Sequence, residues 1–316
     1  MRLRTQTLIC ALGLALALAP AAGAQSRLTI VVPFAAGGGI DIFARLMGDE
    51  IQKSGQTVVI ENRPGASSMI GTEYVARAAP DAGIVLISSN STLISPILRP
   101  QGFNPLTDLT PVCNLAESPQ ILIVKADSPF RALSDLVVAA KAKPGALTIA
   151  SNGPASTQQL VAETFKHAAG IDMTYVPYNG GAPAVNAVIG GQVTAAAANL
   201  SEVHAQIAGG LIRALATTAR QRLAALPDLP TAREEGVDFD ISSWHGVALP
   251  GKAAPETVDR VEKQFMSALN APALRERLAA AKYTPTGLCG APVQDFMKSQ
   301  VESIGAIAKA AGIRLE

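Results

Sequence analysis

Short β-branched runs that alternate with helix-period segments constrain this 316-residue chain more than any other feature. LTIVVP at 28–33, TVVIE at 57–61 and GIVLIS at 83–88 are separated by helical patterns near 41–53 and 69–79. That spacing predicts parallel strands, because each crossover helix must return the chain over one face of the sheet. A loop-like stretch rich in Pro, Gly and Asn follows at 96–111, and a strand resumes with ILIVK at 121–125. A second series then runs from a helix ending at Lys143 through LTIAS at 147–151, a helix at 156–169, MTYVP at 173–177 and a helix at 182–189. It closes with VTAAAA at 193–198, a helix at 201–209 and IRALAT at 212–217. The chain turns extended again at 242–249, and helices at 256–269, 273–281 and 293–311 complete it. Those last helices have no sheet of their own, so they are expected to return to the first one. The prediction is an α/β chain of two lobes, each a mainly parallel sheet flanked by helices. Residues 25–124 with 245–316 form the first lobe and 125–244 the second. Crossings near Lys125 and Trp244 make a hinge, which suits closure around a ligand.

The N-terminus carries Arg2 and Arg4, an apolar run from Leu8 to Ala19, then Ala22-Gly23-Ala24. This is the order of a secretory signal, and the run is shorter than the roughly 18 apolar residues of a spanning helix. Cleavage is expected after Ala24, with residues 1–24 removed and a free periplasmic protein left. Cys10 lies inside the apolar run, which argues against a lipid-bearing first residue. Loss of Arg2 and Arg4 leaves 24 basic against 25 acidic side chains. Neither nucleic acid nor an acidic membrane surface is suggested by that balance. Of the cysteines, Cys113 and Cys289 remain, and two buried free thiols are the preferred reading. The compartment leaves a bridge between them open.

In open parallel sheets, ligands sit outside the carboxyl ends of the strands. The richest such loop is 33–41, Pro-Phe-Ala-Ala-Gly-Gly-Gly-Ile-Asp. Gly37, Gly38 and Gly39 expose backbone N–H groups, and the helix that follows attracts an anion. Phe34 flanks them. Asp41 is expected to cap that helix or orient the loop, since a ligand anion would repel it. Ser88, Ser89 and Asn90 end the third strand. From the other lobe come Ser151 and Asn152, Ser156 and Thr157 at a helix start, Tyr178 and Asn179, and Asn199. Each taken singly is an ordinary helix cap; their shared place at strand ends favours a ligand site. These rims show no Arg or Lys to clamp a charge.

A dinucleotide site fails on spacing, because the third glycine position of G-x-G-x-x-G holds Ile42. His167, His204 and His245 have no i, i+4 partner, and there is no G-x-S-x-G elbow. The residues therefore name no catalytic group, no metal site and no cofactor. His245, beside the single tryptophan Trp244, faces the cleft or packs in the hinge.

Several stretches together resemble the substrate-binding proteins of tripartite tricarboxylate transporters, the Bug family. They are VVPFAAGGGID at 31–41, ENRPGA at 61–66, ARAAPD at 76–81, VPYNGGAPA at 176–184 and GGQV at 190–193. ALPDLPTAREEG at 225–236, SSWHGVALPGKAAPETV at 242–258 and AGIRLE at 311–316 continue the series in order. The resemblance implies a Venus-flytrap architecture that captures a small organic carboxylate and hands it to membrane subunits of such a transporter. By position it implicates Phe34, Gly37 to Gly39, Asp41, the loop 88–90, and Ser151, Asn152, Ser156 and Thr157. The chain departs from the pattern at Asn179, where the family has Lys, at Thr194 and Ala198, where it has Asp, and at Gln159, where it has His. Selectivity is therefore expected to lie in the second lobe. The function expected is capture of a carboxylate by a monomer that is not an enzyme. A sensing protein that signals to a membrane receptor is the alternative, and a secreted α/β hydrolase a weaker one.

Overall fold

β1 (Leu28–Val32) lies between β2 (Val58–Asn62) and β3 (Ile84–Ser89) and runs parallel to both. The computed structural model describes residues 27–100 and 102–313, so the expected signal at 1–24 lies outside the described residues. Helices α1 (Gly39–Gln52), α2 (Met69–Ala76) and α3 (Asn90–Leu98) follow these strands. The second lobe repeats the plan, with β5 (Thr148–Ser151) parallel to β6 (Thr174–Pro177) and β7 (Ala195–Asn199). Its helices are α4 (Leu133–Ala142), α5 (Thr157–Ala169), α6 (Gly181–Ile189) and α7 (Leu200–Ala208).

The 17-residue strand β4 (Leu109–Lys125) joins the lobes. Residues 109–119 pair antiparallel with β9 (Ser242–Pro250), and 120–125 pair antiparallel with β7 and β8 (Ile212–Thr217). β9 pairs in turn with β3. Each sheet is thus a parallel trio widened by antiparallel strands. The run IRALAT does not extend the parallel order, because it pairs antiparallel with the crossing strand β4.

Alternation along the strands distributes the core. Ile121 and Ile123 point into one apolar cluster, Leu122 and Val124 into another. Ala196 and Ala198 share the first of these, Ala195 and Ala197 the second. Both faces are covered by helices, which is why these strands read as unbroken apolar runs.

Three expectations are corrected. The loop-like stretch begins too early and ends too late: the strand expected at 121–125 already starts at Leu109, and 90–98 is helical, with Pro96 inside its last turns. Ser89 and Thr92 form a capping box at its start, and burial of Leu93 and Ile94 outweighs the cost of an internal proline. The C-terminal helices do not follow one another directly, because β10 (Thr284–Cys289) intervenes and pairs antiparallel with β4. Cys113 and Cys289 stand opposite each other in that pairing and are bonded as a disulfide, so they are not free thiols.

Helices α8 (Pro255–Asn270) and α9 (Pro272–Ala280) return to the first lobe, where Val261, Phe265, Leu274 and Leu278 pack with Ile30, Phe43 and Met47. The last helix, α10 (Ala291–Ala310), does more than return. Its Val293, Met297, Ile304 and Ala308 join a cluster holding Leu93 of the first lobe and Phe165 of the second. No helix among the described residues is long and apolar enough to cross a membrane.

Candidate functional site

The carboxyl ends of β1, β3, β5, β6 and β7 converge on a chamber of about 120 Å³ between the lobes, lined by both polar and apolar groups. Phe34, Gly38, Ser89, Asn152, Thr157, Asn179 and Asn199 line it. A larger chamber of about 610 Å³ adjoins it toward solvent and shares Phe34, Asn152 and Asn179 as its floor, with Tyr178 beside them. Another depression, of about 670 Å³, opens beside Leu28 and Ile84 at the amino ends of β1 and β3. That end of an open parallel sheet does not hold ligands.

The other expected residues support this wall without lining it. Asp41 is buried and accepts hydrogen bonds from the Gly37 N–H (2.9 Å), Arg45 Nε (2.9 Å) and Asn62 Nδ2 (2.8 Å). Burial by itself would raise the Asp41 pKa; the bonds from Arg45, Gly37 and Asn62, with the Arg45 charge, outweigh it and hold the carboxyl below its ordinary 3.8. Asp41 therefore orients the loop. Gly38 is the helix N-cap residue, so Asp41 is not the cap. Asn90 is spent on β9, donating to the Ser242 carbonyl (3.1 Å) and accepting from the Trp244 N–H (3.0 Å). Ser88 is buried within β3. Ser151 shares a hydrogen bond with the Tyr175 hydroxyl (2.7 Å), and Ser156 caps α5 by accepting from the Gln159 N–H (3.1 Å).

Four positions were expected to carry selectivity, and only Asn179 reaches the chamber. Thr194 accepts the Thr148 N–H (3.1 Å) between strands, and Ala198 lies in the second-lobe core. Gln159 accepts the Ala155 N–H (2.6 Å) and secures the loop before α5.

The chamber also contains Ser91, which continues the expected loop 88–90, the open case His245, and three residues that sequence reasoning misses, Gln158, Glu202 and Ser243. Glu202 is the most consequential. It projects from α7 of the second lobe, and its Oε1 accepts the N–H of Gly39, the first residue of α1 in the first lobe (2.8 Å). Oε1 also accepts from Asn199 Nδ2 (3.0 Å). Since the carboxylate can only accept, Asn199 must turn its amide oxygen to Gln120 Nε2, and Gln120 also donates to Ser243 (2.6 Å). A polar chain therefore runs from the crossing strand to the glycine loop. Of the three glycine N–H groups, those of Gly37 and Gly39 are engaged by Asp41 and Glu202. Burial raises the Glu202 pKa against the opposing effect of the Gly39 and Asn199 bonds.

His245 lines the chamber and stacks on Phe43 at 5.3 Å between ring centroids, with Tyr283 edge-on at 5.5 Å. Neither ring nitrogen has a hydrogen-bond partner, and burial pushes the pKa down to about 3. The imidazole is therefore neutral in the folded state. The unfolded chain takes up the proton first, near pH 6.5, so this contribution to stability is complete above that value and declines as pH falls toward 3. The decline has a limiting slope of about 1.4 kcal/mol per pH unit. Urea denaturation at pH 7, 5 and 4 is expected to show a shallower acid loss for His245→Phe than for the native chain. Equal slopes would contradict the depressed pKa.

The outer chamber has features of its own. Ala66, Ser67 and Ser68 take successive positive φ angles of 44°, 55° and 79° along its wall, held in part by a hydrogen bond from Ser95 to the Ser67 carbonyl. Arg99, exposed at the end of α3, also lines it, which supplies the cation that the loop motifs lack.

Comparison with known proteins agrees with this architecture. The family described as tripartite tricarboxylate transporter family receptor matches residues 43–313. Protein BugT of Bordetella pertussis is 30% identical over 292 residues, covering 91% of this chain and 90% of its own length. The periplasmic binding protein BugD superposes with a TM-score of 0.87 at 30% identity, covering 92% of this chain and 99% of that one. Rpa4515 of R. palustris, solved with adipate, gives a TM-score of 0.86 at 32% identity, covering 92% and 98%.

Proposed function

This chain belongs to the tripartite tricarboxylate transporter receptor family, and from that premise we propose that it captures a small organic carboxylate in the cleft between its lobes. The observation that carries the reading is the convergence of strand carboxyl ends from both lobes on one chamber. The adipate held by a relative of the same fold supports a carboxylate as the class of solute. The lobes are taken as 25–124 with 245–316, and 125–244, to within the few residues over which β4 changes partners.

Phe34, Asn152 and Asn179 separate the two chambers and are placed to contact the middle of a bound solute. Thr157, Ser89 and Asn199 supply hydrogen bonds inside, and Tyr178 does so toward the mouth. Gly37 to Gly39, Asp41, Ser88, Asn90, Ser151 and Ser156 shape these walls. The protein works in the periplasm after removal of residues 1–24, as a monomer without catalytic chemistry, and delivers its solute to the membrane subunits of a tripartite transporter.

A thermal-shift screen of mono-, di- and tricarboxylates, aromatic acids and amino acids tests this. Saturation at about 100 times Kd adds roughly 2.7 kcal/mol and is expected to raise Tm by about 5 °C. A screen in which no acid moves Tm would overturn the proposal.

A further inference from the structure

Glu202 places a carboxylate where an anionic ligand is expected to dock. Its Oε1 already takes the Gly39 N–H at the start of α1, which uses the positive end of that helix. Its Oε2 is closed off from solvent and makes no hydrogen bond of good geometry, although the Asn152 side chain lies close enough to the carboxylate to act to lower its pKa. Among the described residues no Lys or Arg forms an ion pair with Glu202, and none lines the inner chamber. The same chamber wall carries an unpartnered amide oxygen, Asn152 Oδ1. The inner end of the cleft is thus rich in acceptors and poor in positive charge. A ligand carboxylate brought there would meet a like charge with no cation between them.

Resting on the carboxylate reading above, we propose that the solute enters with an ammonium group foremost, paired with Glu202 Oε2, while its carboxylate trails into the outer chamber toward Arg99. The ligand class is then an amino-bearing carboxylate, and a symmetric diacid is disfavoured. Two N–H donors on Oε1 and the adjacent helix start oppose the rise that burial imposes on the Glu202 pKa, and an ammonium partner at Oε2 would oppose it further. Gly181 leaves room for the Glu202 carboxylate, since a side-chain carbon there would come within 2.6 Å of Glu202 Cδ. The lobes must part to admit the ligand, because Gly39 encloses the same carboxylate from the first lobe.

Isothermal titration of the mature chain at neutral pH with length-matched probes tests the inference: 6-aminohexanoate against adipate, 5-aminopentanoate against glutarate, and 4-aminobutyrate against succinate. In at least one pair the amino acid is expected to bind about tenfold or more tighter than the diacid, a ratio of the size a single charge contact produces. Glu202→Gln keeps the acceptor for Gly39 and is expected to abolish that ratio. Diacids that bind as tightly as their amino partners, or a ratio that Glu202→Gln leaves unchanged, would overturn the inference and leave the carboxylate reading intact. If diacids bind through a protonated Glu202, they do so better as pH falls, which also overturns it. If no probe in any pair binds, the inference falls, and the carboxylate reading is decided by the thermal-shift screen. The ratio in the native chain decides the matter even where the variant folds poorly.

Discussion

Removing the Cys113–Cys289 bridge is expected to cost as much as about 5 kcal/mol of stability. The two residues are 176 positions apart, and the bond closes a loop that contains the whole second lobe. Restricting so long a loop removes much of the entropy of the unfolded chain, and the loop-closure relation gives a value near the top of the usual range. The bond also fastens β10 to β4, the strand that passes through both lobes. Guanidinium denaturation of the native chain with and without reductant, and of Cys113→Ser/Cys289→Ser, measures the effect. A clear fall in midpoint is expected in both, and unchanged midpoints would contradict a native bridge. Such a bond persists in an oxidising compartment, which agrees with export.

Gly39→Val is expected to weaken solute binding by roughly 10- to 100-fold while leaving the unliganded protein folded. A carbon added at Gly39 would stand 3.1 Å from Ser201 Oγ, 3.2 Å from Asn199 Nδ2 and 3.3 Å from Glu202 Oε1. All three atoms belong to the other lobe. A branched side chain has no room in the closed cleft, yet with the lobes apart it faces solvent, so the penalty falls on closure. Overpacking of this kind costs about 1–3 kcal/mol, which converts to the stated loss of affinity. Titration calorimetry reads the affinity, and Tm without ligand reads the fold. Unaltered affinity would show that binding does not bring α1 against α7.

Much of the fold was legible because its central strands are buried on both faces and its helices carry an apolar stripe. The run IRALAT coincides with β8 residue for residue. What escaped is explained by local signals that tertiary contacts override. TPTGLC has a proline and a glycine among its six residues, and becomes β10 because β4 offers an unpaired edge and a cysteine opposite Cys289. Asn90-Ser91-Thr92 reads as a turn, but Ser89 caps it and buried Leu93 and Ile94 draw it into a helix.

The site was legible in its loops and not in its charges. An acid two residues into a predicted helix, such as Glu202, reads as a routine partner of its own helix start. Here it serves the start of a different helix, 163 residues earlier in the chain. No periodicity reveals a pairing that arises when two lobes meet. Thr194 and Ala198 stand apart from the family pattern in sequence, but their contacts are with neighbouring strands and core. The glycine loop at 37–39 remains the first-lobe wall, with two of its N–H groups already engaged by side-chain carboxylates.

Titration calorimetry of small carboxylates, amino-bearing ones included, into the native chain and into Gly39→Val tests the central claim most directly. Saturable binding of one acid per chain, weakened by the substitution, is the result predicted for capture between the lobes. Heats that never saturate, or saturable binding that Gly39→Val leaves intact, would contradict it.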